Sequence, residues 1–136
     1  MTIIELHSMT LVELFLFSCA LLKDLQILLR SCQNEACELA SEQAKKGIRD
    51  CNSTLGILRP YACPTDHSAS FRPASIRVGG AQIPVKSIAI NSIEKALRAQ
   101  SAAVLLKERA VLQRIQKVIS RQIADLEAVI PPPNDA

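Results

Sequence analysis

Aromatic residues are nearly missing from this chain: Phe15, Phe17, Tyr61 and Phe71 make up 3% of it, and there is no tryptophan. Sandwiches and barrels lean on aromatic and β-branched strands, so this scarcity argues for an interior of Leu, Ile, Ala and Val between packed helices. Glycine is also sparse, at four residues, and the seven prolines fall mostly in one central stretch and at the very end. Two long stretches are therefore almost free of helix breakers. A long uninterrupted apolar run is lacking too. Leu11–Leu22 is broken by Glu13 and Ser18 and followed by Lys23 and Asp24. Charges near the middle of a bilayer cost several kcal/mol, so no transmembrane helix is expected. No Lys or Arg precedes Lys23, which disfavours a secretory leader.

What is present points to a packed protein. The 136 residues are 49% hydrophobic and 21% charged, which excludes wholesale disorder and leads us to expect one helical domain over 1–136. The net charge of +3 is too small to require an anionic partner. Its distribution is uneven, with a slight acidic excess through Pro60 and a basic excess from Tyr61 onward. The five cysteines, Cys19, Cys32, Cys37, Cys51 and Cys63, are odd in number and irregular in spacing. Most fall on apolar helical positions, where a free thiol behaves as a small hydrophobe. A reducing, cytoplasmic compartment is the expectation.

From Leu11 apolar residues recur at intervals of three and four (Leu11, Leu14, Leu21, Leu25, Leu28, Cys32, Leu39), the period of an amphipathic helix. The spacing predicts a helix over about 10–57, stopped by Leu58-Arg59-Pro60 because a residue before proline avoids helical dihedrals. A Pro/Ser/Gly-rich loop follows over about 58–84. Within it Ser75–Val78 and Ala81–Ile83, separated by Gly79-Gly80, read as a small β-hairpin. A second helix is expected over about 86–129, with Asn91 and Glu94 as a capping pair. A short proline-rich tail then begins at Pro131. Leu105, Leu112, Ile119 and Leu126 repeat every seven residues along it, flanked by Val104, Val111, Ile115, Val118 and Val129. The fold class expected is all-α: two long antiparallel helices forming a helical hairpin. The first helix is greasier than one neighbour can cover, so it either breaks near Gly47–Gly56 and folds back or pairs in a homodimeric four-helix bundle. The dimer is preferred.

Met9-Thr10-Leu11-Val12-Glu13-Leu14 resembles the start of a mature type IV pilin or pseudopilin, in which a Met or aromatic residue precedes Thr-Leu-Val-Glu-Leu. The resemblance implies a membrane-inserted subunit whose acidic residue, Glu13, guides assembly. It covers six residues. The chain departs where the family has basic residues before the processing site, where Ser8 stands in place of Gly, and where Lys23-Asp24 interrupts the anchor. The same letters also spell a helix start: Thr10 and Glu13 as a capping box, and Met9 with Leu14 as a hydrophobic staple.

Catalytic and metal chemistry find little support. Cys32 and Cys37 would stand about 140° apart on a continuous helix and so could not chelate together. Cys63 and His67 offer half a ligand set, with His7 the only other histidine. Asp66-His67-Ser68 holds triad residue types in sequence, whereas a triad converges from separate elements. No phosphate loop, nucleotide fingerprint or nucleophile elbow occurs. No catalytic residue, metal or cofactor is expected. Lys107, Arg114, Lys117 and Arg121 form a basic row, expected opposite Leu105–Leu126, that offers an anion or nucleic-acid contact. Glu108 and Gln122 interrupt the apolar flank. Leu14, Phe15, Phe17 and Leu21 are the expected partner interface. The function expected is a non-enzymatic protein–protein interaction module that self-associates and contacts another protein. A nucleic-acid-associated protein is the alternative, and a pilin-like subunit the third reading.

Overall fold

The computed structural model describes residues 1–62 and 74–130. A short helix α1 (Ile3–Ser8) leads into α2 (Leu11–Asn34) and α3 (Glu38–Ala62). The β-hairpin β1 (Ser75–Val78) and β2 (Ala81–Pro84) then feeds directly into a long helix α4 (Val85–Val129). The structure is mostly helical, as the breaker-poor composition implies.

The capping box at Thr10 and Glu13 is formed: the Thr10 hydroxyl accepts from the Glu13 amide, and the Glu13 carboxylate accepts from the Thr10 amide. Thr2 and Glu5 repeat the device at α1. These reciprocal bonds satisfy amides that a helix start leaves without partners.

The expected single helix over 10–57 is instead two helices, and the chain turns back at Ala36, not near Gly47–Gly56. Ala36 adopts φ 56°, the left-handed region. The Cys37 amide donates to the Cys32 carbonyl at 2.9 Å and the Ala36 amide to the Gln33 carbonyl at 3.3 Å. This is the Schellman pattern, and its usual apolar contact across the turn is supplied by Cys32 and Cys37, buried in one cluster. Alanine resists this conformation by roughly 1–2 kcal/mol. Here the buried thiols and two hydrogen bonds hold it.

With the chain folded back, the greasy surface of α2 is covered internally. The two-helix hairpin is thus corrected to a three-helix body. α3 lies in the middle, with extensive contacts to α2 and to α4, while α2 and α4 touch more sparingly. One cluster joins Leu6, Leu14, Leu21, Leu25, Leu58, Val85 and Ile93; a second, at the α2–α3 turn, joins Cys32, Cys37, Ala40, Ala44 and Ala103. α4 therefore runs antiparallel to α3. Small residues line this seam. A Cβ placed on Gly47 would lie 2.9 Å from both Leu25 methyl carbons and 3.3 Å from the Ala99 Cβ, so a side chain there would displace Leu25 and crowd Ala99.

Two further expectations are adjusted. Pro60 does not stop α3, which continues to Ala62 with Pro60 in its last turn. There the missing amide and ring clash remove only terminal bonds. α4 begins at Val85 with Pro84 at its N-cap, so Asn91 and Glu94 lie inside the helix and cap nothing. The hairpin pairs as expected, Ile76 against Ile83 and Val78 against Ala81. Gly79 and Gly80 both take positive φ, as a tight two-residue hairpin turn requires.

Two stability outcomes follow from these details. Replacing Ala36 by Gly relieves the left-handed strain at an exposed position and raises stability by about 1 kcal/mol in thermal unfolding. Ser18 is fully buried on α2 and its Oγ has no hydrogen-bond partner among the described residues. Ser18→Ala removes that unsatisfied hydroxyl and adds helix propensity, raising unfolding free energy by about 1–2 kcal/mol.

Candidate interaction surface

The lengths of the helices define the surface. At 1.5 Å per residue, α2 and α3 extend about 36–38 Å and α4 about 67 Å. The body therefore runs out of partner helix a little past the middle of α4. Ala103 is the last fully buried residue of α4, Ala110 still touches the second cluster, and every residue from Leu112 to Ile130 is exposed.

Within that overhang the apolar residues remain in register with one another. Leu112, Ile115, Val118, Ile119, Ile123, Leu126, Val129 and Ile130 are each at least half exposed. On a helix at 100° per residue, Leu105, Leu112, Ile119 and Leu126 stand about 140–200° from Ala103. The sevenfold row read from the sequence thus faces away from the chain's own body, while the seam with α3 is made by Ala89, Ala96, Ala99 and Ala103. Alanines spaced by three, four and seven were the available signal. The larger side chains of the opposite row drew attention from them.

The basic row lies opposite Leu105–Leu126, as expected, and this is the seam side of α4. Arg114 and Arg121 are eleven and eighteen residues beyond Ala103, so they continue the seam face beyond the end of the body. Two members are engaged at the tip of the α2–α3 turn. Glu35 takes the Lys107 ammonium at 3.8 Å and the Arg114 guanidinium at 3.4 Å. Lys107 also donates to the Ser31 hydroxyl. Lys117 and Arg121 are exposed.

Of the expected partner interface, Leu14 and Leu21 lie inside the chain's own core, at 0% and 3% exposure. Phe15 and Phe17 are half-buried against it. Glu108 is exposed between two shallow grooves. One is lined by Leu28, Val104, Lys107 and Val111, and the other by Leu105, Arg109, Gln113 and Gln116. Gln122 is exposed within the stripe. Cys63, Asp66, His67, Ser68 and Phe71 lie outside the described residues.

The turn at Ala36 brings Cys32 and Cys37 into one cluster, which corrects the divergence expected on a continuous helix. Burial, with Cys37 beside it, pushes the Cys32 thiol up. Burial, reinforced by the negative charge of Asp50, pushes the Cys51 thiol up to about 12 from an ordinary value of 9.0. Raised values favour the neutral thiol, so neither group is an activated nucleophile. Among the described residues, no group of three or more His, Cys, Asp or Glu side chains is placed to hold a metal ion. None of the described helices is long and apolar enough to cross a membrane.

Comparison with protein-family models, curated proteins and solved structures finds no match for this chain. The reading of the surface therefore rests on its own geometry.

The thiols give a direct check. In native protein at pH 8, alkylation followed by peptide mass mapping labels exposed Cys19, while Cys51 reacts only on unfolding. Because the folded-state value of Cys51 lies above 9.0, its contribution to stability is complete below pH 9 and is lost as pH rises toward about 12. The wild type consequently loses more unfolding free energy over that window than Cys51→Ala does.

Proposed function

We propose that this protein is a non-enzymatic helical interaction module whose working surface is the uncovered apolar stripe of α4, acting through bundle or coiled-coil contact with another helix. The observation that supports this reading is the mismatch between α4 and its body. Most helical stability in proteins comes from packing an amphipathic face, and about twenty residues of α4 leave such a face uncovered. Eight large aliphatic side chains stand exposed between Leu112 and Ile130. At roughly 100 Å² of apolar surface each they exceed the few hundred Å² that monomeric proteins usually expose. Their spacing of three, four and seven is the pattern by which one helix receives another.

The basic row suits this reading as a solvated flank. Glu35 occupies two of its four members, and α4 carries no aromatic residue on which a base would stack. The half-buried Phe15 and Phe17 belong to the side of the body, and the overhang replaces them as the principal surface.

Light scattering and sedimentation test the proposal. Wild-type protein at micromolar concentration shows a mass above that of one chain. Leu112→Asp with Ile119→Asp brings it down to one chain, with the melting temperature of the three-helix body unchanged because neither residue is buried. Identical masses for wild type and variant would remove the stripe from consideration as a contact surface.

A further inference from the structure

We infer that the occupant of the stripe is a second copy of this chain, laid antiparallel along the α4 overhang with the two-fold axis crossing near Lys117. This deepens the interaction-module reading and rests on it.

The charges flanking the stripe carry the orientation. Lys107 lines the groove with Val104 and Val111 on one edge of the stripe, and Asp125 stands eighteen residues further along, about five whole turns, on that same edge. Arg109 lines the groove with Leu105 and Gln116 on the other edge, and Glu127 stands eighteen residues beyond it in the same way. Each edge thus begins with a base near the body and ends with an acid near the tip. In an antiparallel pair like edges face each other, so Arg109 meets Glu127 of the second copy, and the second copy's Asp125 comes to Lys107 beside the Glu35 and Ser31 that already hold it. The first pairing centres on residue 118 and the second on residue 116, a disagreement of about 3 Å along the axis. The midpoint of the apolar stripe, Leu105–Ile130, falls between them. A parallel in-register pair instead sets Lys107 beside Arg109 and Asp125 beside Glu127, base on base and acid on acid.

Area and space agree with this arrangement. The eight exposed aliphatic residues from Leu112 to Ile130 present on the order of 800 Å² per copy, which is about what each partner contributes to a stable interface. The body accompanies α4 only as far as Ala110, with Leu28 of α2 bordering the edge of the stripe at Val104 and Val111. With the axis near Lys117, Ala110 of the second copy lies level with residue 124 of the first, so each body overlaps only the last turns of its partner's α4.

Zero-length carbodiimide cross-linking of an equal mixture of isotopically light and heavy full-length protein, with peptide mapping, tests the inference. The expected product joins Asp125 of one isotope to Lys107 of the other, in a species with the mass of two chains. These residues are about 27 Å apart on one helix, so no single copy can form that link. Arg109→Glu weakens the dimer about tenfold, and adding Glu127→Arg restores it. A two-chain species with no Asp125–Lys107 link and no rescue by the charge swap overturns the antiparallel arrangement while leaving the stripe as a contact surface. A mass greater than two chains overturns the two-fold pair. A one-chain mass identical to that of Leu112→Asp with Ile119→Asp overturns this inference and the interaction-module reading together.

Discussion

The reversal at Ala36 is the constraint on which the rest of the molecule depends. One alanine in a left-handed conformation, held by two amide bonds and by Cys32 against Cys37, turns what reads as a single long rod into a hairpin of two helices. That hairpin halves the length of the platform offered to α4. Had the chain continued straight, a rod near 70 Å would have matched α4 along its whole extent, and nothing would overhang. The turn also sets Glu35 at the tip of the body, where it meets Lys107 and Arg114 as α4 passes.

The seam between α3 and α4 shows why the larger side chains were free to face outward. Alanines and Gly47 bring the two backbones close, so van der Waals contact is made by main chain and Cβ atoms rather than by interdigitated leucines. Leucine is then needed where three elements meet: Leu14 and Leu58 toward the hairpin end of the body, and Leu21 and Leu25 further along α2, Leu25 against Gly47. Ser18 and Thr54 sit fully buried there with different outcomes. Thr54 bonds back to the Asp50 carbonyl at 2.8 Å, whereas Ser18 has no partner among the described residues.

Much of the fold was legible in the letters. Thr10 with Glu13 announced the start of α2, Gly79-Gly80 the hairpin turn, and the lack of breakers the extent of α4. The reversal was not legible, because Ala36 is a strong helix former and its conformation is imposed by contacts across the turn. The surface was legible in part. The row Leu105–Leu126 was correctly seen as one face, but a heptad pattern does not say whether its partner is the same chain or another. Only the packing of Ala96, Ala99 and Ala103 against α3 separates the inner face from the outer one. The choice of Leu14 and Leu21 as an interface followed from the same missing turn, since a fold-back covers them within the chain.

Glu35 has a mechanical consequence. Beyond the last point of support a protruding rod behaves as a cantilever, and its stiffness is set by the clamp at its root. Here the clamp is one carboxylate bracing two cations a couple of turns apart on α4, with Ser31 as an additional stay. In an unpaired chain flexure would concentrate just past Arg114, the last point at which α4 is held to the α2–α3 elbow, and a second helix laid on the stripe would brace it.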